Sequence, residues 1–138
     1  MPIANAAENF KLIYPYLAAG DNAGGKFVSD NLSVTIKDSR AIDHFGNKIY
    51  SLLFKEDDED ILSMHFAIDA SRHNLIPLEY NNMLSQQQCS AFDFTTGLIT
   101  SERTLIKLDS YLNDCLKTIA ARFPISGAEL IDNVKITN

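Results

Sequence analysis

Two cysteines and three histidines are the residues of this chain best suited to nucleophilic catalysis or metal binding. Either thiol, Cys89 or Cys115, could act as a nucleophile if the fold placed a histidine beside it, because an imidazole can take up the thiol proton. His44, His65 and His73 lie in no HExxH motif and no cysteine–histidine cluster, so we predict no metal site and no cofactor. Packing of both cysteines as small buried side chains is the simpler interpretation, and a cysteine–histidine enzyme stays an open alternative.

Two other patterns resemble catalytic motifs but lack their essential parts. The segment Gly20–Lys26 has the G-x-x-x-x-G-K spacing of a phosphate loop, but Phe27 stands where that motif needs Ser or Thr. A phosphate loop also follows a strand and opens a helix, whereas here a helical pattern comes first and a strand pattern follows. Asp93 and Asp109 are single carboxylates, which by themselves indicate nothing about acid–base catalysis. The sequence therefore predicts a protein that is not an enzyme.

A run of five consecutive acids is the densest charge in the sequence. It does not match a calcium-binding EF-hand loop, because the sixth position counted from Asp57 is Leu62, where such a loop needs glycine. We predict a solvated hairpin turn between two strands, and a contact for a basic partner is the alternative interpretation. The run consists of Glu56, Asp57, Asp58, Glu59 and Asp60.

The overall composition limits the classes of protein to which the chain can belong. Eighteen Asp and Glu against twelve Lys and Arg give a net charge of −6 over 138 residues, which argues against nucleic-acid binding because phosphate contacts need clustered cations. No apolar run approaches the roughly 18 residues of a membrane span. The N-terminus lacks the basic and apolar regions of a secretory signal. We therefore expect one cytoplasmic domain, residues 1–138, that binds neither nucleic acid nor membrane.

Hydrophobic periodicity predicts an α+β fold. A helical pattern opens the chain, with Asn5 and Glu8 as a capping box. Pro15 would end or kink this helix near Tyr14, because its ring clashes with the preceding turn. Three strand patterns follow and predict an antiparallel meander. They cover Leu32–Lys37, Ile49–Phe54 and Ile61–Asp69.

The second half of the chain leaves more alternatives open. Residues 71–90 have no clear period, and Pro77 could open a short helix there. A hairpin over 91–100 would complete a sheet of about five strands. A long amphipathic C-terminal helix follows, and either Ser101 or Asp109 could cap its start.

The stretch 92–122 carries a family resemblance. Gly97-Leu98 stands at the end of a predicted turn between two strands, and Arg103 follows it. Leu108-Asp109 then precedes the stripe of apolar residues in the last helix. This pattern, together with the order of helix, strands and long helix, resembles the class I type III secretion chaperones. The resemblance implies that a strand continues past Leu98 and that the last helix begins near Asp109. The stripe comprises Leu112, Leu116 and Ile119-Ala120.

The resemblance also implies a function. Such a chaperone is a homodimer that binds an extended segment near the N-terminus of a secreted effector protein, without ATP, and keeps it competent for secretion. Apolar patches would accept the segment by strand addition or as a helix in a groove, although core packing is the simpler explanation for any one apolar residue. The partner-binding candidates are Phe10, Ile13, Tyr14, Leu53, Met64 and Phe66, and the dimer-interface candidates are Leu75, Ile76, Leu78, Met83 and Leu84.

An acidic immunity or inhibitor protein is the alternative function. Toxins that act on nucleic acid are basic, so an exposed run such as Glu56–Asp60 would steer the inhibitor onto the toxin's active site. A monomer that binds a folded partner favours this alternative, whereas a dimer that binds an unfolded segment favours the chaperone.

Overall fold

The computed structural model describes residues 3–19 and 24–124, and the elements in these ranges are two helices and eight strands. Helices lie at the two ends of the described chain, and all strands lie between them. The elements in chain order are α1 (Ala6–Ala19), β1 (Gly24–Ser29), β2 (Leu32–Ile42), β3 (Lys48–Glu56), β4 (Glu59–Asp69), β5 (Asn74–Asn82), β6 (Gln87–Ser90), β7 (Phe92–Asp93), β8 (Leu98–Ile99) and α2 (Glu102–Arg122).

The first six strands form one antiparallel sheet in the order β1-β2-β3-β4-β5-β6, so every strand pairs with its neighbours in sequence. The last two strands form a separate small hairpin. The predicted α+β fold with an N-terminal helix, an antiparallel meander and a long C-terminal helix is confirmed, with six strands in the sheet where about five were predicted. The alternation in β2, where Leu32, Val34 and Ile36 are buried and the residues between them are not, gave the clearest strand signal.

The ambiguous segment 71–90 forms two strands, and the short helix predicted from Pro77 is wrong. Pro77 lies inside β5, opposite Phe66, where the register of β4 and β5 shifts. Such an irregularity lets a strand accommodate a residue that has no backbone N–H to donate. The same shift breaks the alternation of buried residues along β5, which is why no period is visible in the sequence.

The last helix begins at Glu102, as the Ser101 alternative predicts. The Ser101 Oγ accepts a hydrogen bond from the backbone N–H of Thr104 at 3.2 Å, the usual geometry of a serine N-cap. The start near Asp109 that the chaperone resemblance implies is therefore wrong. The strand runs only one residue past Leu98, to Ile99, so Arg103 lies in α2 and not in a strand.

The first helix continues through Pro15 to Ala19, so the predicted end near Tyr14 is wrong. Because Pro15 has no N–H, the carbonyl of Lys11 lacks its usual i+4 hydrogen-bond donor. Tyr16 holds the end of the helix in place, since its hydroxyl donates to the Phe123 carbonyl at 2.6 Å. Its ring also packs edge-on against Phe27 of β1.

The main hydrophobic core lies between the two helices and one face of the sheet. Ile13 of α1 and Leu108 of α2 belong to the same buried cluster as Leu52, Met64 and Phe66 of the central strands. On the opposite face of the sheet, the β7–β8 hairpin packs over one end. The small cluster beneath this hairpin consists of Ile49, Ala67, Leu78 and Phe92.

A buried polar network fixes α1 against α2 inside this otherwise apolar layer. Asp109 of α2 is almost fully buried and accepts hydrogen bonds from the Asn5 backbone N–H at 3.0 Å and from the Asn5 side chain at 3.1 Å. Asn113 donates to Asn9 at 2.8 Å and to Glu8 at 2.9 Å. Asp109 thus receives the N–H that Glu8 would take in the predicted capping box. Burial raises the pKa of the Asp109 carboxyl, and the hydrogen bonds from Asn5 oppose this shift.

We expect the substitution Asp109→Ala to lower the free energy of unfolding by about 2–4 kcal/mol, because it leaves the donors of Asn5 and Asn9 buried without an acceptor. Urea unfolding followed by circular dichroism measures the change. Ser110→Ala, at the neighbouring exposed position, is the matched control and should change stability little. Equal stability of the two variants would mean that the network contributes nothing to the docking of α1.

The acidic run forms a tight hairpin turn between β3 and β4, as predicted. Asp57 and Asp58 at its tip have φ angles of 52° and 65°, the left-handed values that a type I′ turn requires at both central residues. Asn-Gly is the preferred pair for these positions. The natural Asp-Asp pair therefore combines an unfavourable backbone conformation with repulsion between neighbouring negative charges.

The double substitution Asp57→Asn and Asp58→Gly should consequently raise the free energy of unfolding by about 0.5–2 kcal/mol. Thermal and urea unfolding of the variant beside the natural protein measure this gain. A loss of stability would show that the two aspartates make a favourable interaction that outweighs the turn geometry.

Candidate functional site

The two cysteines differ in how well they could serve as nucleophiles. Cys115 is 8% exposed, and burial, with a smaller contribution from Asp114, raises the pKa of its thiol to about 12. A thiol with that pKa is almost entirely protonated at neutral pH, so it is a poor nucleophile. Cys89 of β6 is only partly buried. In the described part of the chain, neither sulfur makes a hydrogen bond to a histidine.

His65 has a charged neighbour, but the arrangement lacks the parts of a catalytic site. Its Nδ1 lies 3.2 Å from Glu79 Oε1 without hydrogen-bond geometry, and Phe94 packs edge-on against the imidazole. Ser51 stands opposite His65 on the neighbouring strand, yet it makes no hydrogen bond to it. Within residues 3–19 and 24–124, no group of three or more His, Cys, Asp or Glu side chains could hold a metal ion.

The reactivity of the thiols tests whether Cys89 and Cys115 differ in accessibility and ionisation. At pH 8 in the folded protein, a thiol reagent such as dithionitrobenzoate should modify Cys89 quickly and Cys115 only when the protein unfolds, because the reagent attacks thiolates. Cys89→Ser should abolish the fast phase, and Cys115→Ser should leave it intact. A fast phase that survives in Cys89→Ser would mean that Cys115 is accessible and ionised in the fold.

An aromatic cleft beside the first helix brings together two of the predicted partner-binding residues. Phe10 and Tyr14 lie one turn apart on α1, with ring centroids 5.7 Å apart. His73, from the β4–β5 turn, stacks on Phe10 with centroids 4.9 Å apart and planes 4° apart. Together with Lys11 and Arg72 they border an open cavity of about 510 Å³. We call this cavity the α1 cleft.

The turn that forms the second wall of the α1 cleft is held by one carboxylate. Asp69 Oδ1 accepts hydrogen bonds from the Ser71 hydroxyl at 2.8 Å and from the Arg72 N–H at 3.3 Å. The turn ends at His73, whose φ angle is 55°, and this conformation brings the imidazole onto the helix. Arg72 and Lys11 are exposed at the rim of this apolar cleft. Arg72 is paired with Asp69 of the same turn, with Nε 3.8 Å from Oδ2, so Lys11 supplies most of the positive charge of the rim.

The other four predicted partner-binding residues lie elsewhere. Ile13, Met64 and Phe66 have no exposed surface, so they cannot touch a partner while the fold is intact, and their assignment to a binding site is corrected to the core. Leu53 is half-buried on the sheet face that turns away from the helices, because its neighbours Leu52 and Phe54 point into the core.

The predicted dimer segment divides in the same way. Leu75 and Leu78 are fully buried, so the structure places them in the core of the chain itself, and Ile76 is partly buried. Met83 and Leu84 lie in the β5–β6 turn, where Leu84 is 73% exposed. Met83 and Leu84 are therefore the exposed members of the predicted dimer segment.

All five residues of the acidic turn are exposed, and neighbouring turns lie beside them. The Asp57 N–H donates to the Asn31 carbonyl of the β1–β2 turn at 2.9 Å. On the other side, the Met83 N–H donates to the Ile61 carbonyl at 3.0 Å. This edge of the molecule therefore joins the acidic turn to the exposed apolar residues of the β5–β6 turn.

Phe45 is an exposed aromatic residue that the sequence analysis does not predict as part of a binding surface. Phe45 is 81% exposed on a turn that Asp43 organises, because Asp43 Oδ1 accepts from the backbone N–H groups of Phe45 and Asn47 at 2.9 Å each. Gly97 of the β7–β8 hairpin packs against this turn, since its carbonyl accepts from the His44 N–H at 2.7 Å. The spacing of Asp43 and Asn47 around an aromatic residue is the local signal that could have identified it.

Comparison of the sequence with protein-family models, with curated proteins and with solved structures finds no match. The resemblance to the secretion chaperones therefore rests on the sequence pattern of residues 92–122 and on the order of the elements. Neither of the two described helices is both long and apolar enough to cross a membrane.

Proposed function

We propose that this chain is a non-enzymatic cytoplasmic chaperone that binds an extended segment of a secreted effector protein in the α1 cleft and keeps it competent for secretion. The observation that supports the proposal is the open stack of Phe10 and His73 beside Tyr14, whose side chain is 56% exposed. Aromatic side chains in a preformed concave surface provide most of the binding energy where an apolar segment docks.

The edge of the sheet next to the cleft supports an extended occupant. Strand β6 pairs only with residues Glu79–Asn82 of β5, and no described strand pairs with Asn74–Pro77 on that side. This free half-edge begins directly after His73. A client segment could therefore add to β5 through main-chain hydrogen bonds and place alternate side chains in the cleft.

The charge at the cleft indicates the character of the client. Lys11 and Arg72 are both exposed at the rim, and Asp69 offsets part of the Arg72 charge. A segment with apolar side chains next to a carboxylate complements this rim, because opposite charges across an interface favour the correct partner and speed its association. In the proposed homodimer, Met83 and Leu84 are the exposed remainder of the predicted interface.

Site-specific photo-crosslinking in the native cytoplasm tests the proposal. With a photoreactive phenylalanine in place of Tyr14, the chain should crosslink near the N-terminus of a secreted protein. The same group at Ser110, an exposed position on α2, should not. Crosslinks at Tyr14 that occur only within the chain, or only to the interior of folded proteins, would contradict the chaperone function, as would a strict monomer in light scattering.

A second candidate function, an inhibitor of a basic toxin, is favoured by the acidic turn. Its five carboxylates are exposed on the β3–β4 hairpin and form a surface suited to electrostatic steering. The photoreactive group at Glu59 distinguishes the two functions, because an inhibitor would crosslink to a folded partner from this position and give no specific product from Tyr14.

A further inference from the structure

A second groove lies between α2 and the sheet, and it shares no lining residue with the α1 cleft. It is an open cavity of about 360 Å³. Apolar side chains from both layers form its floor, and Tyr111 stacks on Tyr80 with ring centroids 4.4 Å apart to close one side. We call this cavity the α2 groove; its floor includes Leu32, Phe54, Leu62, Tyr80 and Tyr111.

The rim of the α2 groove carries charge of the opposite sign from the rim of the α1 cleft. Glu56 stands on the sheet side and Asp114 on the helix side, and both side chains are exposed. Arg122 is the single cation among the lining residues. The acidic turn continues directly from Glu56, so further carboxylates lie beside one end of the groove. Lys55 offsets one of them through an ion pair with Asp60 at 3.7 Å. On the helix side, Lys107 Nζ lies 5.9 Å from the ring centroid of Tyr111.

The shape and charge together select one kind of occupant. We propose that the α2 groove binds a cationic amphipathic segment of a partner protein, with apolar side chains against Phe54 and Tyr111 and Lys or Arg side chains against Glu56 and Asp114. This site is independent of the proposed chaperone function, because it uses other residues.

Other occupants fit the groove less well. A fatty acid or another anionic ligand would bring its negative charge against Glu56 and Asp114. A second copy that met this groove with its own groove would place its Glu56 and Asp114 against those of the first copy, and like charges repel. A positively charged segment is attracted by Glu56 on the sheet side, by Asp114 on the helix side and by the neighbouring acidic turn.

A designed peptide of alternating leucine and lysine pairs, labelled with fluorescein, serves as the probe. Fluorescence anisotropy should show binding that weakens as salt is raised, because the rim charges are exposed and screened. Two matched peptides separate the contribution of charge from that of apolar contact. One has glutamate in place of lysine, and the other has lysine alone. Each should bind at least about tenfold more weakly, a ratio that corresponds to roughly 1.4 kcal/mol.

Three variants locate the binding site. Asp114→Lys reverses the charge on the helix side of the rim, and Thr118→Trp fills the groove from an exposed position that lines it; each should weaken peptide binding by about tenfold or more. Glu102→Lys makes the same charge change on the same helix, about 18 Å away along its axis, and should leave binding nearly unchanged. Circular dichroism melting verifies that each variant is folded.

The outcomes are distinct. Equal weakening by Asp114→Lys and Glu102→Lys would show a response to net charge only and would overturn the site, as would binding that survives Thr118→Trp. Equal binding of the lysine-only peptide would show that the apolar floor is not used and would overturn it too. The crosslinks from Tyr14 should persist in Asp114→Lys, so failure of this site and failure of the chaperone proposal can be told apart.

Discussion

The position of the first helix depends on the buried carboxylate of Asp109. A 14-residue helix is marginally stable in water by itself, so α1 forms where α2 and the sheet hold it. Apolar packing around Ile13 stabilises the docking of α1 on α2 and the sheet. Many positions of α1 along its axis would, however, bury a similar apolar area. The hydrogen bonds from Asn5 and Asn9 to Asp109 are satisfied in one register only. Because Phe10 and Tyr14 lie on this helix, the same register places them beside His73 and so creates the α1 cleft.

The two cavities have opposite electrostatic character although they share one sheet. Lys11 and Arg72 border the α1 cleft, whereas the two acids Glu56 and Asp114 outnumber the one cation Arg122 around the α2 groove. The meander separates them, because its turns alternate between the two ends of the sheet. The acidic β3–β4 turn and the β4–β5 turn that carries Arg72 and His73 consequently lie at opposite ends. A chain with one sign of net charge can in this way present two local surfaces that select different partners.

Local patterns allowed much of the fold to be predicted, and long-range contacts account for what was missed. The alternation in β2 and the apolar stripe of α2 arise within each element, so the sequence alone shows them. Strand β5 was not predicted, because the register shift near Pro77 breaks the alternation of its buried residues. The role of Asp109 was invisible because its partner Asn5 is 104 positions away. Of the predicted binding residues, the partly buried Phe10 and the exposed Tyr14 line a cleft. Ile13, Met64 and Phe66 belong to the core, since an apolar residue on a helix or strand looks the same in both roles.

The connectivity of the fold also determines the order in which the protein can be completed. Each strand of the sheet pairs with the one made just before it, so hairpins can form while the chain is still being synthesised. The apolar face of these hairpins cannot be buried by neighbouring strands. It needs α2, which is the last described element to leave the ribosome. Until α2 packs against the sheet, Leu52, Met64 and Phe66 belong to an apolar surface that is open to aggregation. A chain that ended before Glu102 would lack α2 and would therefore leave this face of the sheet open and prone to aggregation.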